Sequence, residues 1–267
     1  MDQSIIDLIK QRKSVRTYTS EPLSREHTDE IAHFIERTKV PFGVKARVEF
    51  IHTGQNDQKV QLGTYGWIDG ASDYMALIYE ESPLGGEGSA YWFEQVILFC
   101  TGLGLGTCWL GGSFSRKDFK KQVRLEANEK LRIVSPVGYP ASKKRLLESI
   151  IGADKHHQSR KPFGAYFYYR QFTTPLTEEM AGIYAQPLEM VRIAPSANNA
   201  QPWRIVWDEE NFHFYRTPSF GFSDIDMGIA LCHFEQSCRE LGLSGRFETE
   251  NIPSNKNMQY VISWIPE

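Results

Sequence analysis

Apolar positions along the chain fall into two recurring periods. Ile5, Leu8 and Ile9 stand at i, i+3 and i+4, with Ile6 beside them. That spacing predicts a short amphipathic helix ending near Lys13, with Ser4 as its N-cap. Pro22-Leu23-Ser24 opens a second helix over 26–38, Ser24 being its N-cap. The stretches 48–52 and 74–80 read as strands. A buried helix follows over 92–102, then a short helix over 116–122. A strand over 132–137 ends at Gly138-Tyr139-Pro140.

The same order then recurs. Phe172-Thr173-Thr174-Pro175-Leu176-Thr177-Glu178 echoes Tyr18-Thr19-Ser20-Glu21-Pro22-Leu23-Ser24 with one residue missing. Leu188-Glu189 echoes Ile35-Glu36, and a strand over 212–215 stands where 74–79 stood. Cys238-x-x-Leu241-Gly242-Leu243 matches Cys100-x-x-Leu103-Gly104-Leu105 at an offset of 138. A last strand over 260–264 answers 132–137. The chain therefore reads as two diverged copies of one α+β unit, 1–150 and 165–267, each with a mixed sheet flanked by helices. The polar, basic segment 151–164 joins them. Helix and strand grammar common to unrelated α+β segments is the competing account, since a glycine between leucines often ends a helix.

Composition narrows the partners. The 267 residues carry 41% hydrophobic and 24% charged positions, ordinary for a globular chain. A net charge of −3 leaves no bulk basic field, so nucleic acid is not an expected partner. Cysteines 100, 108, 232 and 238 form no CxxC pair and lie at no zinc spacing, so no metal is expected. They read as buried thiols of a reducing compartment, the cytoplasm. The first sixteen residues hold no apolar signal core. Residues 96–115 carry no charge and are long enough to span a bilayer. Glycines at 102, 104, 106, 111 and 112 break that stretch into a buried helix and a glycine-rich turn, so no membrane span is expected.

Four motifs carry candidate chemistry. Arg12-Lys13-Ser14-Val15-Arg16 offers two guanidinium groups, an ammonium and a hydroxyl, which suits a phosphate; a solvated basic turn has the same composition. The 194–203 loop, APSANNAQPW, presents a hydroxyl and three amides without an acid or base. Such groups hydrogen-bond a flat polar heterocycle, and they also build ordinary turns. Gly104-Leu105-Gly106-Thr107-Cys108-Trp109-Leu110-Gly111-Gly112 allows close backbone approach to a ligand, or simply ends a helix. It follows a helix, unlike a Rossmann GxGxxG, and no GxxxxGK[ST] occurs. Ser159-Arg160-Lys161-Pro162 and Lys143-Lys144-Arg145 are basic clusters that suit either a phosphate or the solvent.

Taken together, Arg12-x-Ser14-Val15-Arg16-x-Tyr18, the 103–112 segment, Val137-Gly138-Tyr139-Pro140, Arg160-Lys161-Pro162 and Pro195-Ser196-x-x-Asn199-x-Gln201-Pro202-Trp203 resemble the FMN-dependent nitroreductase family. The order differs from the common pattern, because the Pro-Ser loop stands in the second copy. This resembles the internally duplicated nitroreductase branch.

The resemblance implies a nitroreductase-like α+β fold in which the two copies form an intramolecular pseudo-dimer. It implies one FMN per chain between the halves, because each copy keeps what the other lacks. Where copy one has Arg12, Lys13 and Ser14, copy two has Tyr166, Phe167 and Tyr168. Arg12, Lys13 and Ser14 would hold the ribityl phosphate, and Arg16 the pyrimidine edge. Pro195, Ser196, Asn199 and Gln201 would line the ring and ribityl chain. Leu110, Gly111 and Gly112 would bring a backbone N–H near flavin N5, and Arg160 and Lys161 would close on the phosphate. The implied reaction is ping-pong: NAD(P)H gives a hydride to the flavin, and an electron-poor small molecule, a nitroaromatic or quinone, takes it. No catalytic side-chain base is required. Tyr65, Trp67, Phe163 and Tyr166 are candidates to shape the acceptor pocket. A monomer is expected, the pseudo-dimer completing its own site. A flavin-storage protein and a cofactor-free scaffold are the alternatives.

Overall fold

The computed structural model describes residues 3–53, 62–142, 159–218, 221–254 and 257–267. The chain forms two compact units, Gln11–Ala153 and Met1–Lys10 with Asp154–Glu267. The division thus differs at the start of the chain from the halves 1–150 and 165–267 read in the sequence. Lys143-Lys144-Arg145 and the connector residues 151–158 lie outside the described residues.

The first unit is a mixed α+β body. Helix α2 (Arg25–Arg37) starts at Ser24, whose side chain accepts the His27 N–H, as expected of that N-cap. Strands β1 (Ala46–His52), β2 (Asp73–Glu80), β3 (Gly106–Thr107) and β4 (Glu129–Gly138) form an antiparallel sheet in the order β1-β2-β4-β3. Central strand β2 is buried almost throughout, which is why its sequence is a continuous apolar run rather than an alternation. Helix α3 (Gly85–Gly102) links β2 to β3, and α4 (Arg116–Lys120) is a single capped turn.

Helix α3 begins seven residues earlier than 92–102, and glycine hid that start. A Cβ on Gly88 would stand 2.8 Å from Val44 Cγ2 and 3.1 Å from Pro41 O. The first turn of α3 therefore packs against the 41–44 turn only as glycine, at the cost of helix propensity. At its other end, Leu105 N–H reaches Cys100 O at 2.9 Å while Gly104 takes φ +75°. This six-to-one bond is a Schellman closure, so Gly104 ends the helix.

The second unit holds helix α1 (Ile5–Gln11) up to Lys10. Ser4 Oγ accepts the Asp7 N–H at 3.1 Å. Glu240 takes the Ser4 hydroxyl at 2.6 Å and the Ile6 N–H at 3.1 Å, placing a carboxylate at the positive end of α1. Strands β5 (Phe167–Tyr169), β6 (Trp203–Trp207), β7 (Phe212–Arg216), β8 (Gly245–Glu248) and β9 (Gln259–Pro266) form a sheet in the order β5-β6-β7-β9-β8. Strand β5 pairs with β6 in parallel, and the β6–β7, β7–β9 and β8–β9 pairs are antiparallel. The short helices α5 (Glu178–Ala181) and α6 (Ala185–Arg192) precede β6, and α7 (Ser223–Glu240) follows β7. Trp203, Phe212, Phe214, Phe234 and Trp264 fill the core.

Helix α7 has the length of α3 and begins 138 residues later. It also ends alike, with Leu243 N–H on Cys238 O at 2.8 Å and Gly242 at φ +72°. The repeated Cys-x-x-Leu-Gly-Leu motif is thus one helix-ending device used twice. All four cysteines are buried and none forms a disulfide. Among the described residues no helix is long and apolar enough to cross a membrane, and no His/Cys/Asp/Glu group could hold a metal.

Candidate functional site

In the first unit the basic motif is laced into the sheet edge by its backbone. Ser14 bridges Thr107 in parallel, and Val15 N–H donates to Thr107 O at 2.8 Å. Asp69 N–H donates to Arg16 O at 2.8 Å, and Tyr18 N–H to Asp69 O at 2.9 Å. The Tyr18 hydroxyl donates to Val15 O at 2.8 Å, and burial raises its pKa well above the ordinary value. A Cβ on Gly106 would lie 2.8 Å from Val15 Cβ, so this glycine is what lets the 12–18 segment come so close.

That lacing fixes where the side chains stand. Arg12 is half-buried, and its Nε and Nη1 are buried with no partner. Two desolvated guanidinium N–H groups are costly unless an anion meets them. Ser14 and Arg16 are half-buried and Lys13 is exposed. The arrangement fits a phosphate monoester.

The glycine-rich segment runs along the same edge. Leu110 N–H donates to Val134 O at 2.9 Å, so this N–H is spent within the fold. Gly111 is half-buried and Gly112 exposed. A loop lies beside both segments: Asp69 holds it to the basic motif, and Ser115 N–H donates to Gly63 O at 2.7 Å. The loop carries Tyr65, 69% exposed, and Trp67, 43% exposed. Trp67 N–H closes the turn on Thr64 O at 2.9 Å, with Tyr65 and Gly66 at positive φ.

In the second unit the structure brings Arg160, Lys161, Ser196, Asn199 and Gln201 together. Arg160 Nη1 donates to Asn199 Oδ1 at 2.7 Å and to Ser159 O at 3.2 Å. Its Nη2 donates to Ile193 O at 3.0 Å and Ala194 O at 3.2 Å, carbonyls at the end of α6. A cation there also meets the negative end of the helix. Asn199 Nδ2 donates to Ser159 O at 3.0 Å, and Gln201 Nε2 to Asn199 O at 2.8 Å. Gln201 Oε1 accepts the Tyr166 hydroxyl, which in turn accepts the Lys161 N–H at 3.1 Å. Ser196 Oγ accepts the Gln201 N–H at 2.9 Å. Much of the loop's polar equipment therefore holds the loop's own shape. Asn198, one of the loop's three amides but not named among the residues lining the ring, is exposed.

The loop bends sharply, with Asn198, Asn199 and Gln201 at φ +51°, +56° and +50°. Pro195 is half-buried beside it. Below it, Asp226 Oδ1 accepts the Ala197 N–H at 2.9 Å. Asp226 is 2% exposed, and burial pushes its carboxyl up to about 7.

Two of the four aromatic candidates are core residues. Phe163 packs edge-on against Phe167 with centroids 4.5 Å apart, and Tyr166 is fully buried. The alignment of 166–168 on 12–14 also finds different neighbours. Ser14 pairs with Thr107 of β3, whereas Tyr168 pairs with Val206 of β6.

A family model described as "Putative TM nitroreductase" matches residues 4–238. A "putative nitroreductase" from Thermotoga maritima is similar in structure, with a TM-score of 0.65 and 19% identity over 99% of this chain and 94% of that one. A nitroreductase with bound FMN from Bacteroides fragilis aligns with 54% of this chain and 92% of its own, at 18% identity and a TM-score of 0.42. A "putative NADH oxidase" from Clostridium acetobutylicum aligns with 52% of this chain and 90% of its own, at 22% identity and 0.43. No curated protein matches. The match over residues 4–238, on a mixed α+β fold shared with the Thermotoga protein, makes this chain a member of the nitroreductase family.

Proposed function

We propose that the protein is an FMN-dependent oxidoreductase that moves a hydride from NAD(P)H to an electron-poor acceptor, a nitroaromatic or a quinone, with one FMN per chain. The observation that carries this reading is the Arg12 guanidinium, which buries two N–H groups without a partner beside Ser14. A phosphate supplies the missing acceptors and the opposite charge. Bound FMN supplies the hydride chemistry.

The chain's own residues bind and orient. Arg12, Lys13 and Ser14 grip the phosphate, and Arg16 faces the flavin's pyrimidine edge. With Leu110 N–H committed to Val134, the backbone N–H offered toward N5 comes from Gly111 or Gly112. Pro195, Ser196, Asn199 and Gln201 form the second wall. Arg160 serves as the clasp of that wall, and Lys161 leaves its exposed ammonium for the phosphate. We read the two halves as diverged copies that share one flavin, each supplying motifs the other lacks. The protein then works as a monomer, and a sedimentation mass twice that of the chain would contradict this.

The test is a flavin titration of the purified protein, followed by NADH without oxygen. Saturation at one FMN per chain and bleaching by NADH support the reading. Arg12→Ala is expected to weaken FMN about tenfold or more, since hydrogen bonds to charged groups are the strong ones. An R12A protein that binds FMN as tightly as the parent would remove the main support.

A further inference from the structure

We propose that Asp226 is the positioning residue of the 195–203 loop: through the Ala197 N–H it fixes the left-handed turn on which that loop's hold on a ligand depends. The proposal rests on the flavin reading for the ligand, and on geometry alone for the loop.

The turn needs an external hold. Asn198, Asn199 and Gln201 all take positive φ. Asparagine tolerates that region, glutamine much less, and such residues persist where surrounding contacts over-determine them. Among the contacts that do so, three anchor the turn at its two ends and its middle. Arg160 plugs the end of α6 and grips Asn199; Ser196 Oγ catches the Gln201 N–H; Asp226 catches the Ala197 N–H. The last stands immediately before the first left-handed residue. Asp226 lies on the first turn of α7, an 18-residue helix that also meets α6 where His233 Nδ1 contacts Met190 O at 3.0 Å. The loop is therefore strung between Arg160 at one helix end and Asp226 at the start of another.

A carboxyl is an expensive choice at this position. Asp226 is 2% exposed, and its Oδ2 is buried without a partner. Burial and the neighbouring Asp224 charge both disfavour the ionised form. A residue that costs stability and makes one directed contact to a strained loop fits a site device better than a core filler. Because one oxygen makes the contact, asparagine is predicted to replace aspartate, and alanine is not.

The test compares Asp226→Ala, Asp226→Asn and, as a control on the same helix, Ser237→Ala. Ser237 is fully buried and its hydroxyl has no partner. Two readouts are taken on the full chain. FMN affinity, read from the quenching of flavin fluorescence, is expected to fall about tenfold in D226A, as for loss of a buried hydrogen bond that leaves the Ala197 N–H without its acceptor. D226N and S237A are expected to stay near wild type. Amide hydrogen exchange over 196–201, measured without flavin, is expected to speed up about tenfold in D226A alone. D226N as poor as D226A, or loop exchange unchanged in D226A, overturns the proposal. If the parent itself takes no FMN, the flavin reading fails while the exchange arm still decides the role of Asp226.

Discussion

Arg160 donates from Nη1 to Asn199 Oδ1 across 2.7 Å, while its Nη2 spans the carbonyls of Ile193 and Ala194. The guanidinium fork satisfies four acceptors that a lysine ammonium cannot reach together. Arg160→Lys is therefore expected to behave almost as Arg160→Ala. Either should cost about 2–3 kcal/mol in urea denaturation, where hydrogen bonds to charged groups are worth about 1.5–3 each and do not add. If R160K keeps parental stability and flavin affinity, Arg160 is not the clasp.

Gly106 and Gly104 separate a glycine beside the candidate site from a glycine that only ends a helix. A Cβ on Gly106 meets Val15 Cβ at 2.8 Å, whereas a Cβ on Gly104 meets nothing within 4 Å but is strained by φ +75°. Gly106→Ala must push the Arg12–Arg16 segment off the sheet edge, and overpacking of this kind costs about 1–3 kcal/mol. Gly104→Ala costs about 1–2 kcal/mol through its left-handed backbone. Both variants are expected to melt earlier. Only G106A should weaken FMN binding as well, and equal flavin affinity in the two would separate Val15 from the site.

The elements legible in the sequence are those whose local signals agree with their packing. Ser24 caps α2, Asp73–Glu80 is a buried apolar strand, and Cys-x-x-Leu-Gly-Leu ends two helices in the same way. What stayed hidden depends on neighbours. The glycines that open α3 hide its first turns, and the start at Gly85 is explained only when Val44 is seen against Gly88. Strands β3, β5 and β8 are too short for any period to emerge. The site motifs were visible as residue types, but their division of labour was not. Nothing in the spacing of Arg160 and Asn199, 39 residues apart, distinguishes a clasp from a phosphate ligand. Asp226 had no signal at all, because its partner is a backbone N–H.

Asp226 also gives stability a pH dependence with a definite sign. Its carboxyl rises from the ordinary 3.8 to about 7 in the fold. Between those values the folded chain holds a proton that the unfolded chain has released, so stability falls as pH rises through that window and is level on either side. At about 1.4 kcal/mol per unit, the cost approaches roughly 4 kcal/mol above pH 7. Asp226→Asn removes the titrating group. The variant is expected to be several kcal/mol more stable than the parent at pH 8, with a smaller gain at pH 5. A urea midpoint difference that does not shrink on acidification would assign the pH dependence elsewhere.

Tyr65 and Trp67 stand exposed on a turn that is bonded on one side to the Arg16 segment and on the other to Ser115, three residues past Gly112. Such rings offer a stacking face to a planar, electron-poor acceptor, and an aromatic pair is worth about 0.5–1.5 kcal/mol beyond buried area. Trp67→Ala and Tyr65→Ala are therefore expected to raise KM for a nitroaromatic or quinone by about 3- to 10-fold. FMN affinity and the rate with ferricyanide, which has no face to stack, should be unchanged. Both side chains are exposed, so neither variant is expected to cost much stability, surface changes being usually within about 0.5 kcal/mol. An unchanged KM for the planar acceptors, with flavin still bound, would leave the two rings without a part in acceptor choice.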